Sequence, residues 1–211
     1  STEDTANGNP ANLLATSAKE GSANTWLMGS LLSAFILGRH NGLRADFPRE
    51  HLLDDEQSWT KHPIVLLPSP LTSTSTPFLS HVHTDFYARA KQFVEEGGFL
   101  YASVAADAAV PDMESIFGAR LADTNTASEV TIKVVKAYGR SLQVGDTFRL
   151  TIPNANARSW GALLEVGQGA PGEVIAVDQD NQPVLVASSR GRGKTLLFGF
   201  PIESHLATTA S

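Results

Sequence analysis

Apolar positions fall in three kinds of run along the chain. From Asn24 to about Arg39 or His40 the residues are apolar on every side, with Trp26 to Leu37 interrupted only by Gly29, Ser30 and Ser33. That predicts a buried helix capped by Asn24 and broken by Gly42, and Trp26 is assigned to its core face. Leu43 to Phe47 alternates and predicts a short strand ended by Pro48. Arg49 to Trp59 reads as a loop or helical turn. Ile64-Val65-Leu66-Leu67 is a short continuous apolar run between Pro63 and Pro68, the pattern of a strand buried on both faces of a parallel sheet. The stretch Pro68 to Pro77 is all proline, serine and threonine apart from Leu71, so it predicts a loop at the carboxyl end of that strand.

The next segment has a clear helical period. Val82, Phe86, Ala90, Phe93 and Val94 fall on one face, Asp85/Arg89 and Lys91/Glu95 pair on the other, Ser80 can cap the start and Gly97 stops the end. Phe99 to Ser103 follows as a strand. Strand, loop, helix and strand in this order predict a βαβ unit with parallel strands. Pro111 to Glu114 opens a short helix closed by Gly118. Beyond Glu129 the period changes to short alternating strands, at Val130–Val135, Thr147–Leu150, Leu163–Val166, Val174–Val177, Val184–Ala187 and Thr195–Gly199. Turns at Val144–Asp146, Asp178–Gln182 and Arg190–Gly193 separate them. The expected architecture is a three-layer α/β/α sandwich, flavodoxin- or amidotransferase-like, with a mostly parallel sheet and an antiparallel C-terminal hairpin region. Residues 1–23, rich in Ser, Thr, Asn, Ala and Gly, read as a linker or extended arm, 24–205 as the domain and 206–211 as a tail. The chain is expected to be a fragment of a longer protein.

Composition narrows the function. At 211 residues the chain is long enough for one domain with a core, and 42% hydrophobic residues supply it. A net charge of −6 without a basic stripe argues against nucleic acid or an anionic membrane as a partner. No segment has the build of a signal peptide or a membrane span, so a soluble chain is expected, the cytoplasm being favoured. With no cysteine, disulfides, thiolate metal sites and cysteine nucleophiles are excluded.

Several motifs carry less chemistry than they suggest. Ser189-Arg190-Gly191-Arg192-Gly193-Lys194-Thr195 ends like a phosphate loop, but Ser188 stands where the first glycine is needed and a strand follows instead of a helix. It reads as a basic hairpin turn. His81-Val82-His83 lacks further ligands, so no metal is expected, and Asp178/Asp180 lacks the glycine and distal glutamate of a calcium loop. Asp107, Asp112 and Glu114 form an acidic group; Asp112 and Glu114 are explained by a helix start. Trp59 and Trp160 sit in polar surroundings and are candidates for an interface or a sugar. In open α/β sheets ligands bind beyond the strands' carboxyl ends. Here that rim carries Ser69, Pro70, Thr72, Ser103 and Asp107, a surface suited to packing more than to turnover.

The order Ile64 to Pro70, amphipathic helix, then Phe93-Val94-Glu95-Glu96-Gly97-Gly98-Phe99-Leu100 resembles the glutamine-amidotransferase-like fold. More narrowly, it resembles the trimerisation domain in the middle of family 42 glycoside hydrolases. Phe117-Gly118-Ala119-Arg120 and the hairpin Gly191 to Leu196 fit as well. The resemblance implies that Ser103-Val104 stands where amidotransferases carry a nucleophilic cysteine. It further implies that in the stretch Phe200-Pro201-Ile202-Glu203 the histidine position of a His-Pro-Glu is occupied by Pro201. Nucleophile and base would then both be lost. The implied function is a non-catalytic accessory or oligomerisation domain of a β-galactosidase-like hydrolase. It would need no cofactor or catalytic residue of its own, and its partners would be its own TIM-barrel domain or identical subunits. Two alternatives stay open. One is a serine hydrolase using Ser103 with His205 or His83. The other is a carbohydrate-binding module that contacts an oligosaccharide through Trp59 or Trp160.

Overall fold

The structure, a computed structural model, describes residues 23–47, 59, 61–68, 84–106, 112–151 and 161–203, with the backbone alone at 23–30 and 84–86. Among these residues three helices and nine strands are found: α1 (Ala23–His40), β1 (Ile64–Pro68), α2 (Thr84–Glu95), β2 (Phe99–Ser103), α3 (Met113–Phe117), β3 (Arg120–Asn125), β4 (Glu129–Val134), β5 (Thr147–Thr151), β6 (Gly161–Glu165), β7 (Gly172–Val177), β8 (Pro183–Arg190) and β9 (Gly193–Phe198). The arm before Ala23, the loop after Pro68, the Ser80 cap, His81, His83, His205 and the tail lie outside the described residues.

Seven strands form one curled mixed sheet in the order β1-β2-β9-β8-β7-β4-β5. Only β1, β2 and β9 run parallel; every other neighbour in this sheet is antiparallel. β3 and β6 form a separate antiparallel pair. The βαβ unit is present, but the three-layer α/β/α sandwich expected from sequence is not. The chain is mostly β, and the reason lies in the strands. Buried and exposed residues alternate along β4 without a break, so only one of its faces is covered. A strand of that kind belongs to an antiparallel sheet wetted on one side, not to a parallel sheet under two helical layers.

Two further expectations are corrected. Leu43 to Phe47 is not a strand. Gly42, at φ +75°, turns the chain out of α1. The Leu43 amide bonds back to the Gly38 carbonyl at 2.8 Å, and the Phe47 ring packs on Phe35 at 5.9 Å, so the segment folds onto its own helix. β1 is not buried on both faces either, because it is an edge strand whose Ile64 and Leu66 are exposed.

The core has two halves, one on each face of the sheet. On one, α2 and α3 pack Tyr87, Val94, Ile116 and Phe117 against Leu100, Val186 and Leu197. On the other, Val130, Ile132, Ile175, Val184, Phe198 and Phe200 gather under Tyr138, Leu142 and Ile202. The rings of Phe117 and Phe200 are fully buried; each contributes roughly 2–3 kcal/mol of transfer free energy.

The glycines of the β8–β9 hairpin have a packing role. A Cβ at Gly191 would stand 2.3 Å from the Glu95 carbonyl oxygen, and one at Gly193 would stand 2.0 Å from that of Val94. Their absence lets the hairpin seat on the open end of α2. There the Arg192 amide donates to the Glu95 carbonyl at 3.0 Å, and its guanidinium donates to the Glu96 carbonyl at 2.8 Å. The cationic hairpin thus satisfies helix-terminal carbonyls where a positive charge is favoured.

Candidate functional site

The parallel strands end side by side, with Ser103 of β2 in register with Pro68 of β1 and Phe198 of β9. Tyr101 and Ser103, two residues apart, project from the same face of β2. After β9 the chain passes through Gly199 and buried Phe200 and turns at Pro201, where the Ile202 amide bonds to the Phe200 carbonyl at 2.8 Å. That turn carries Glu203 back to the strand ends.

The Tyr101 hydroxyl donates to Glu203 Oε1 and the Ser103 hydroxyl donates to Glu203 Oε2, each at 2.5 Å. Glu203 is only 5% exposed and Ser103 is fully buried. Burial pushes the Glu203 carboxyl above the usual carboxylate range, opposed by the two hydroxyl bonds. Burial first, and the Glu203 charge second, hold the Tyr101 phenol well above its ordinary value. Both carboxylate oxygens therefore receive a proton donor that will not be lost near neutral pH.

Ser103 Oγ is aimed at a carboxylate from inside the protein, and its side chain has no exposed surface. Glu203 is the residue here whose pairing the sequence did not predict. Its position after the last parallel strand was visible; its contact with Ser103 depends on β9 lying beside β2.

Of the other rim residues, Ser69, Pro70, Thr72, Asp107 and Trp160 lie outside the described residues. Trp59 is placed inside the protein, at 4% exposure with its ring 5.5 Å from that of Phe93, so it belongs to the core and not to a ligand surface. Asp112 precedes α3 at φ 55° without a side-chain cap. Asp178 is buried and closes its own turn, accepting from the Asp180 and Gln182 amides at 2.9 Å each. Among the described residues no cluster of three or more His, Asp or Glu could hold a metal ion. No helix there is long and apolar enough to cross a membrane.

At the opposite end of the same sheet face a cavity of about 510 Å³ opens between the β4–β5 loop and the hairpin strands, lined by Tyr138, Glu173, Ser189 and Lys194 among others. Lys136 pairs with Glu173 at this cavity, and burial raises the Tyr138 phenol.

No protein-family model matches the chain, and no curated protein matches it. Solved structures do. The exo-β-1,4-mannosidase Op5Man5 from Opitutaceae bacterium strain TAV5 superposes with a TM-score of 0.63 at 16% identity, over 92% of this chain and 30% of that one. A β-galactosidase from Bacillus circulans sp. alkalophilus gives 0.51 at 15%, over 74% and 23%. The cytoplasmic protein STM1381 from Salmonella typhimurium LT2 gives 0.57 at 13%, over 80% and 75%. The likeness is one of fold. This chain spans less than a third of the length of each of these two glycosidases.

Proposed function

We propose that the chain is an accessory domain of a glycoside hydrolase, of the trimerisation type, that holds subunits or neighbouring domains together and performs no chemistry of its own. The observation that carries this reading is the fate of Ser103. Ser103, at the carboxyl end of β2 where parallel strands ordinarily offer a ligand crevice, is sealed in the interior with its hydroxyl bound to Glu203. The fold shared with parts of two much longer glycosidases supports the setting. Partners of the domain would be its parent's catalytic barrel or other copies of itself.

The purified chain and its Ser103→Ala variant should be assayed side by side on aryl glycosides, esters and amides. Neither is expected to turn over any of them. Hydrolysis by the wild-type chain that Ser103→Ala abolishes would replace this reading with the serine hydrolase.

A further inference from the structure

The cavity between the β4–β5 loop and the strands β7, β8 and β9 has a floor and a wall of different chemistry. In the antiparallel register Glu173 of β7 stands opposite Ala187 of β8, and Ser189 of β8 stands opposite Lys194 of β9. Paired residues and alternate residues share one face of a sheet, so all four side chains project to the same side. Ala187 contributes only a buried methyl group. The floor therefore dips between Glu173 and Lys194, whose backbones stand roughly 12 Å apart across two interstrand gaps.

The wall is the turn after β4. Tyr138 exchanges backbone bonds with Leu142 there, at 3.0 and 3.3 Å, and its half-buried ring packs on the core half beneath it. Pro171, just ahead of β7, adds a second apolar edge.

We propose that this cavity binds a short neutral saccharide, with Tyr138 and Pro171 against an apolar sugar face and Glu173, Ser189 and Lys194 on its hydroxyl groups. The site lies at the opposite end of the sheet face from Ser103 and Glu203, and the inference does not depend on the accessory-domain reading.

Hydrogen-bonding capacity selects the ligand class. Glu173 only accepts, Lys194 only donates, and the Ser189 and Tyr138 hydroxyls do both. Among the described residues the polar heads of Tyr138, Ser189 and Lys194 have no partner, while Lys136 takes one oxygen of Glu173 and balances its charge. An anionic ligand is repelled by Glu173, and a cationic one meets Lys194 in the same way. An apolar ligand strands all four heads without water. A sugar hydroxyl both donates and accepts, so one ligand satisfies every head. Burial raises the Tyr138 phenol, which keeps its proton near neutral pH and remains a donor. Size agrees with this class. The cavity of about 510 Å³ falls within the range of small-molecule sites, roughly 300–1,000 Å³, where an aromatic face beside a few polar groups is the ordinary lining.

The test titrates the whole chain, isotope-labelled for nuclear magnetic resonance, with lactose, cellobiose and mannobiose, and separately with glucuronate and inorganic phosphate. The amide signals of Tyr138, Gly139, Ser189 and Lys194 should move with at least one neutral disaccharide, and calorimetry should give a matching dissociation constant. Tyr138→Ala removes the stacking face and Lys194→Met removes the donor, and each should weaken that binding by about tenfold. Ser189→Trp lays an indole over the floor from an exposed position; it should abolish binding while leaving the melting temperature unchanged. Arg120→Ala, on the separate β3–β6 pair, should leave binding as it is. Amide signals that stay still at the highest saccharide concentration, saccharide binding that survives Ser189→Trp, or tighter binding of glucuronate or phosphate at these residues would overturn the proposal.

Discussion

Replacing Glu203 tests the physical account of the strand-end lock. The carboxylate accepts two hydroxyl bonds, each worth roughly 1.5–3 kcal/mol when the acceptor is charged. Against them stands the cost of removing the charge from water, several kcal/mol in a protein interior. The carboxyl's raised position means that desolvation outweighs the bonds. The sign of the pH dependence follows. The native state holds the Glu203 proton more tightly than the unfolded chain, whose carboxyl has the ordinary value of 4.5. Below that value this group contributes its full stability, and the contribution is lost as pH rises through the raised native value. Glu203→Gln keeps the shape and one acceptor but cannot ionise. It should lie within about 1 kcal/mol of wild type in acid and gain on it as pH rises, by about 1.4 kcal/mol for each unit by which the native carboxyl is raised. Glu203→Ala leaves two buried hydroxyls without their acceptor and should cost about 3–5 kcal/mol. Urea unfolding followed by circular dichroism, at pH values from about 4 to about 8, measures all three. A wild-type protein that gains stability over Glu203→Gln with rising pH would refute the reasoning, because it would mean that the hydroxyl bonds dominate and the site is a preformed anion.

Three other substitutions probe the packing. Gly118→Ala, at φ +73° with a Cβ 2.4 Å from the Gly172 nitrogen, should lower stability by about 2–4 kcal/mol and the melting temperature by roughly 5–15 °C in calorimetry. Phe200→Ala removes a fully buried ring and should cost about 3–5 kcal/mol in urea unfolding; a loss under about 1 kcal/mol would show that this half of the core is loosely packed. Arg120→Ala breaks two bonds from the guanidinium to a single oxygen of Glu165, an exposed pair joining β3 and β6, and should change stability by less than about 1 kcal/mol, most visibly at low salt.

The amino-acid order alone determined the local elements. A helix period at 84–95, two prolines around Ile64–Leu67 and glycines after Glu95 are short-range signals, because dihedral preference and one-face burial act within a few residues. It also revealed that Ser189 to Thr195 is a hairpin and not a phosphate loop. β3 escaped notice because Arg120–Asn125 has only one large apolar residue, and its strand state comes from pairing with β6. Tertiary structure decided the rest. The sheet's balance of parallel and antiparallel strands depends on which strands become neighbours, and β9 reaches β2 across almost a hundred residues of chain. Trp59 looked like a surface residue by its polar neighbours, yet Phe93 covers it. Ser103 looked like a rim hydroxyl, yet the turn after β9 closes Glu203 over it. Burial and contact between distant residues are properties of the closed chain, and no local pattern encodes them.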